Sequence, residues 1–172
     1  MFLAQGHDVI DFDLDLLVEV LGVIDRQLAA LERKASESPD PDGFGYYCRM
    51  EGIIGLGFVA CQQYINATYG QLGDPQKKKW DVIAAAPRHS EGRSFAEIVN
   101  AAANFWKHHD EWTGQRSDEA RTREVLESLV SSTNDYVMCN VLTSLVQPEE
   151  ARFSSLVYQL TLWRDLQIKP TV

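Results

Sequence analysis

Residues 14–31 read LDLLVEVLGVIDRQLAAL, with an apolar residue at every third or fourth position. The members of this stripe are Leu14, Leu17, Val18, Leu21, Ile24, Leu28 and Leu31. Residues three or four apart lie on the same side of an α-helix, so charged residues such as Glu19 and Arg26 face the other way. The pattern predicts one long amphipathic helix over about residues 12–35, which has to pack against other helices.

Helical spacing continues through nearly all of the chain. The segment ESPDPDG (37–43) ends the first helix, because two prolines and a glycine cannot continue it. Further helices are predicted over about 44–69, 75–86, 95–112, 118–131, 134–146 and 148–166. No convincing period-two alternation occurs outside the first dozen residues. We therefore predict a single all-α domain over residues 1–172, a compact bundle of six or seven mostly antiparallel helices.

Local residue patterns mark the starts of two helices, and three glycines fall inside another. Asp74 followed by Pro75, and Ser94 followed three residues later by Glu97, both have the form of an N-cap. A glycine inside a helix costs up to ~1 kcal/mol, and Gly52, Gly55 and Gly57 all fall inside the second helix. Close approach of a neighbouring helix is the expected compensation. A phosphate cradle is the alternative, although no strand precedes these glycines.

Charge is unevenly distributed along the chain. The net charge is −9, and residues 1–42 carry ten acids and three bases. Such a balance disfavours RNA, DNA and anionic membranes as general partners. Residues 75–93 reverse the sign, with a net charge of +3 that includes Arg88 and Arg93. This basic segment is either a solvated helix end and loop or a site for a phosphate or an acidic partner.

Cysteine usage and hydropathy indicate the compartment. Cys48, Cys61 and Cys139 are widely spaced and odd in number, which predicts neither a disulfide framework nor a structural zinc site. Cys61 and Cys139 fall in apolar helical patterns and are expected in the core, as free thiols of a cytoplasmic protein. No apolar run approaches the ~20 residues that cross a bilayer.

One predicted helix carries the polar residues of greatest interest. Residues 95–112 read FAEIVNAAANFWKHHDEW. One face collects Phe95, Ile98, Val99, Ala102, Phe105, Trp106 and His109, and the opposite side collects Asn100, Asn104, Lys107, His108 and Glu111. His109, within the apolar arc, is expected to be a buried neutral imidazole bonded to a carbonyl.

Two asparagines one turn apart disfavour a helix, and no neighbouring residue in the sequence offers an obvious compensating interaction. Either Asn100 and Asn104 hydrogen-bond to another helix or a second subunit, or they hold His108 in a chosen tautomer within a reactive cleft. His108 and Glu111 have the i, i+3 spacing of metal ligands. No second such pair occurs elsewhere, and we predict no metal site and no cofactor.

The segment Asn104-Phe-Trp-Lys-His108 resembles the second part of the active motif of the HEPN superfamily, often Arg-Asn-x-x-x-His. That resemblance implies a helical homodimer related to toxin–antitoxin and abortive-infection RNases, in which Arg and His cut RNA across the dimer cleft. Ala103 stands where the family carries Arg. A phosphorane transition state needs a cation, so Lys107, or Arg88 and Arg93 from the preceding loop, would have to supply it.

These patterns lead to three functional hypotheses. The first is a non-enzymatic helical interaction protein, homodimeric or bound to another protein, that is a degenerate HEPN-like component of a defence or toxin–antitoxin system. The second is a metal-independent RNase with His108, Asn104 and Lys107 as catalytic residues. The candidate binding residues are Asn100, Glu111, Arg88 and Arg93. The third is a bundle that binds a metal ion or a small molecule through His108 and Glu111.

Overall fold

The computed structural model describes residues 2–5, 8–72, 76–113, 117–130, 135–146 and 151–168. Strands β1 (Phe2–Gln5) and β2 (Asp8–Asp11) form an antiparallel hairpin in which Leu3 pairs with Ile10. The described residues contain seven α-helices. These are α1 (Phe12–Glu37), α2 (Tyr46–Gln71), α3 (Lys79–Ile83), α4 (Phe95–His108), α5 (Ser117–Glu127), α6 (Val137–Leu145) and α7 (Ser154–Ile168). The predicted all-α bundle is confirmed.

Helix α1 begins where the Asp11 side chain accepts a hydrogen bond from the Leu14 amide (3.1 Å). Its buried stripe is formed by Leu17, Leu21, Leu28 and Leu31. Val18 was expected in that stripe, but 47% of its surface is exposed. Consecutive residues differ by about 100° around a helix, and Val18 falls outside the arc that α2 and α7 cover.

Helices α2 and α4 form the centre of the bundle. Helix α2 packs against α1, α4 and α6, and every residue from Phe95 to Ala103 in α4 is buried. A Cβ at Gly55 would lie 2.0 Å from Cδ1 of Trp106, and a Cβ at Gly57 would lie 2.4 Å from the Phe153 ring. The predicted compensation, close helix approach, is therefore confirmed at Gly55 and Gly57 and wrong at Gly52, whose Cβ position has no atom within 4 Å.

Several helix boundaries differ from the predicted ones. Helix α3 is short, because the chain turns after Ile83 and forms an isolated bridge between Arg88 and Ser94. Ser94 caps α4 by accepting the Glu97 amide (2.9 Å), as predicted. Helix α4 ends at His108, and one 3₁₀ turn continues to Glu111. The predicted starts at Asp74-Pro75, Asn134 and Pro148 lie outside the described residues.

The three cysteines were expected to be free thiols, with Cys61 and Cys139 in the core. Cys61 is fully buried, Cys139 is half-buried and Cys48 is exposed, and all three are free thiols. Burial raises the pKa of the Cys61 and Cys139 thiols above their ordinary value, so both stay protonated.

Among the helices that the structure describes, none combines the length and apolarity needed to cross a membrane.

Candidate polar site along α4

The polar stripe of α4, the side that carries Asn100, Asn104, Lys107 and His108, is buried in the first half of the helix and exposed at its end. Asn100 was expected on a polar side of the helix, but only 4% of its surface is exposed. Asn104, one turn further on, is half-buried, and Lys107 and His108 reach the surface. The reason is that α2 and α5 both pack on α4, so its first two turns are enclosed on all sides.

Gln62 of α2 binds the asparagines. Its Nε2 lies 3.0 Å from Oδ1 of Asn100 and 2.8 Å from Oδ1 of Asn104, and it also lies 3.3 Å from the Asn100 carbonyl oxygen. A buried amide that loses its partner costs about 1–3 kcal/mol, so these bonds fix the register of α2 on α4. The hypothesis that the asparagines hydrogen-bond to another helix is thus confirmed, within one chain.

Lys107 completes the same cluster. Its Nζ donates to Oε1 of Gln62 (2.8 Å), the remaining acceptor of that amide. Burial, with a smaller contribution from Lys79, lowers the pKa of Lys107 below its ordinary value. The ammonium group is therefore directed into the α2–α4 contact, where it binds a structural amide.

His108 lies at the outer end of the stripe. About 49% of its side chain is exposed, and its Nδ1 lies 3.6 Å from Oε2 of Glu111, which is more exposed still. An exposed pair at this distance contributes little to stability. Among the described residues no group of three or more His, Cys, Asp or Glu side chains is arranged to hold a metal ion.

A small cleft does open beside His108. It is lined by Asn104, His108, Trp112, Asp118 and Thr122, with a volume of about 100 Å³. Sites for small molecules usually measure about 300–1,000 Å³, so this cleft accommodates a few water molecules rather than a nucleotide. The cleft brings His108 together with Asp118 and Thr122 of α5.

The basic loop does not supply a cation to this cleft. Arg93 binds Glu124 (2.6 Å) and Glu97 (3.3 Å), and Nη1 of Arg88 donates to the Gly92 carbonyl oxygen (2.6 Å). The fourteen residues of α4, from Phe95 to His108, correspond to about 21 Å of helix, beyond the reach of an arginine side chain. The expectation that Arg88 or Arg93 joins His108 in one site is wrong.

His109 satisfies one expectation and contradicts another. Its Nδ1 lies 3.0 Å from the Phe105 carbonyl oxygen, and its ring stacks on Phe105 at 4.8 Å. The carbonyl contact is as predicted, but 42% of the side chain is exposed and Nε2 lies 3.2 Å from Asp110. Helix α4 gives way to the 3₁₀ turn at this residue, which moves the imidazole out of the apolar arc.

Gln62 shows what sequence reasoning missed, and Ala103 shows where the expected arginine position lies. Gln62 is 38 residues from Asn100 in the chain and belongs to a different helix, and no local signal marks it as the partner. Ala103, which stands at the arginine position of the HEPN motif, is fully buried against the core. The polar stripe of α4 is therefore a structural contact at one end and an exposed histidine at the other.

No family model, no curated protein and no solved structure matches this chain.

Proposed function

We propose that the protein is a non-enzymatic helical interaction module that acts as a homodimer. The observation that carries this proposal is a set of exposed apolar residues along α1 and α2. We call it the α1–α2 face and define it by exposed or half-buried apolar residues on one side of each helix. Its members are Phe12, Leu16, Val20 and Val23 of α1 and Leu56 and Ala60 of α2.

The face is apolar without being part of the core. Phe12, Leu16, Val23 and Leu56 each expose half or more of their surface. Monomeric proteins rarely expose contiguous apolar patches beyond a few hundred Å². Between the two helices runs a groove of about 300 Å³, bordered by Leu16, Val20 and Ala60. Such a groove can accept the side chains of a second helix pair.

The members of the α1–α2 face lie in the first half of α1 and the middle of α2. Helix α1 has 26 residues, and the members from Phe12 to Val23 span about 17 Å of it. A second copy placed on this face would bring its own α1 and α2 against the same residues. Two copies joined in this way would form a four-helix layer.

Charge along α1 favours an antiparallel pairing of two copies. Asp15 and Glu19 lie in its first half, and Arg26 lies in its second half on the same edge of the helix. The neighbouring acid Asp25 is occupied, because its carboxylate accepts the Phe153 and Ser154 amides. A two-fold axis near Val20 brings Asp15 of each copy close to Arg26 of the other. In a parallel arrangement like charges would meet.

Replacing Val23 by Asp is expected to weaken dimerisation at least about 100-fold, because an isologous interface would bury two unpaired carboxylates. Val18→Asp is the matched control. It introduces the same charge into the same helix at a residue that is equally exposed but lies outside the face. Sedimentation equilibrium of the three proteins measures the dissociation constants, and circular dichroism checks that each is folded.

A wild-type protein that stays monomeric at high concentration would contradict the proposal. A dimer that survives Val23→Asp, or one that Val18→Asp disrupts equally, would show that a different surface is used.

The contacts around His108 support a non-enzymatic role over the RNase alternative. Lys107 binds Gln62, Arg93 binds acids at the other end of α4, and Ala103 faces the core. Arg123, whose guanidinium lies 5.1 Å from the centroid of the Trp112 ring at the edge of the cleft, pairs with Glu119 (3.4 Å). The resemblance to the HEPN superfamily then supports a degenerate member, a protein partner within a defence or toxin–antitoxin system that does not itself cleave RNA.

An RNA-degradation assay without added metal separates the two functions. We expect wild-type protein and His108→Ala to leave a mixed RNA substrate equally intact, since Lys107 binds Gln62 and Arg123 binds Glu119, and neither is positioned to stabilise a phosphorane. His108 is half-exposed, so its truncation is expected to change stability by no more than about 0.5 kcal/mol. Cleavage by wild-type protein that disappears in His108→Ala would establish the RNase instead.

A further inference from the structure

A further cavity among the described residues shares no lining residue with the α1–α2 face or with the cleft beside His108. It is a groove of about 520 Å³ where the first half of α2 meets the end of α4 and the start of α6. Its volume falls within the about 300–1,000 Å³ typical of small-molecule sites. We call it the aromatic groove. Its principal lining residues are Glu51, Gly52, Phe105, Trp106, Tyr136 and Met138.

Gly52 differs from Gly55 and Gly57 in the same helix α2. Gly55 and Gly57 make room for Trp106 and Phe153, but no atom lies within 4 Å of a Cβ built on Gly52. A glycine in the interior of a helix disfavours that helix, and here no neighbouring helix uses the space. Gly52 lines the groove, so the missing side chain keeps the groove open.

Aromatic rings form much of the groove wall. Trp106 is held against the backbone at Gly55, and the Tyr136 ring meets Tyr47 edge-on at 5.8 Å. Phe105 lies in the same wall and stacks with the His109 imidazole. The faces of such rings carry partial negative charge and attract cations.

The backbone at Tyr136 is strained. Its φ is 49°, a left-handed conformation that is uncommon for a bulky residue and costs about 1–2 kcal/mol. Tyr136 occupies the N-cap position of α6, and its hydroxyl donates to Asp42. These contacts hold the ring at the groove despite the strain, and strained residues of this kind concentrate at ligand-binding positions.

Formal charge in the groove is negative. Glu51 and Asp135 both line it, and the described lining residues include no Lys or Arg. The Glu51 carboxylate is fixed in place, since it accepts the amides of Met138 (2.6 Å) and Cys139 (2.9 Å) at the start of α6. An occupant that complements this surface carries a positive charge and an apolar body.

We propose that the aromatic groove binds a small organic cation, a quaternary ammonium or a protonated alkylamine. The cationic head lies against the Trp106 and Tyr136 rings within the field of Glu51 and Asp135. The apolar body occupies the space above Gly52. This site is separate from the proposed dimer surface and shares no residue with it.

Calorimetric titration with choline and with benzyltrimethylammonium tests the proposal. The control ligand is 3,3-dimethyl-1-butanol, which has the shape of choline without its charge. We expect both cations to bind, and the neutral alcohol to bind at least about tenfold more weakly, because it lacks the attraction to the rings and carboxylates. Equal binding of choline and the alcohol, or no binding of either cation, would overturn the proposal.

Gly52→Leu locates the site. The leucine fills open space and favours the helix over glycine, so the variant is expected to fold and to bind the cations at least about tenfold more weakly. Gly70→Leu is the matched control, since Gly70 is also a glycine of α2 with no atom within 4 Å of its Cβ position, but it does not line the groove. Unchanged affinity in Gly52→Leu, or an equal loss in Gly70→Leu, would place any binding elsewhere and refute this site.

Discussion

Replacing Asp11 by Ala is expected to lower the free energy of unfolding by about 3–5 kcal/mol, the usual effect of removing one partner of a buried ion pair. Asp11 and Arg164 lie 2.7 Å apart, and their side chains are 3% and 6% exposed. The substitution leaves the guanidinium group buried, and Asp165 is then its one remaining ion-pair partner among the residues that the structure describes. Urea denaturation measures the change.

Asp11 joins several parts of the fold at one point. Its carboxylate accepts the Leu14 amide at the start of α1 (3.1 Å) and the Tyr64 hydroxyl of α2 (2.8 Å), besides pairing with Arg164 of α7. Burial, together with this carboxylate, raises the pKa of Tyr64 above its ordinary value. The hydroxyl therefore keeps its proton and remains a donor to Asp11 at physiological pH.

A second ion pair provides the control for Asp11→Ala. Glu32 pairs with Arg152 across α1 and the segment before α7, but both side chains are substantially exposed. Exposed pairs contribute about 0–1 kcal/mol, so Glu32→Ala is expected to have a small effect. A loss below about 1 kcal/mol in Asp11→Ala would mean that the buried network does not hold the hairpin, α1, α2 and α7 together.

The substitution Gly55→Ala is expected to have the second large effect on the free energy of unfolding. A single methyl group in Gly55→Ala would lie 2.0 Å from the Trp106 indole, so the indole or the helix has to move. Overpacking of this kind costs about 1–3 kcal/mol and sometimes more. Trp106 also lines the aromatic groove, so displacement of the indole is expected to change the shape of that groove.

Gly52→Ala is the control for Gly55→Ala, three residues earlier in the same helix. Its methyl group meets no atom within 4 Å, and alanine favours a helix over glycine. The variant is expected to gain up to ~1 kcal/mol in stability. A gain of stability in Gly52→Ala and a loss in Gly55→Ala, measured by thermal and urea unfolding, would establish that the contact with the indole decides the difference. Equal stabilisation by both substitutions would contradict it.

Much of the helical architecture could be predicted because its causes are local. The leucines of α1 recur at helical spacing, and the Ser94 hydroxyl meets the Glu97 amide three residues away. Such contacts depend on the helix itself. The crowding at Gly55 and Gly57 was expected as well, although the rings of Trp106 and Phe153 could not be named.

The candidate site could be predicted only in part. Asn104 and His108 do border one cleft, but the expected placement of Asn100, Arg93 and His109 was wrong. Each error has the same origin, since side chains from distant parts of the chain decide which face of α4 is covered. Gln62 is the clearest example, because its amide turns a polar stripe into a buried helix contact.

The amino-acid sequence by itself determined that this chain is helical, where most of its long helices run and which residues share a helix face. It did so because helical hydrogen bonds and caps join residues only three or four positions apart. Only the tertiary structure decided which faces are covered. The buried Leu21 and the exposed Val23 of α1 are both apolar and only two residues apart, and the packing of the other helices separates core from surface.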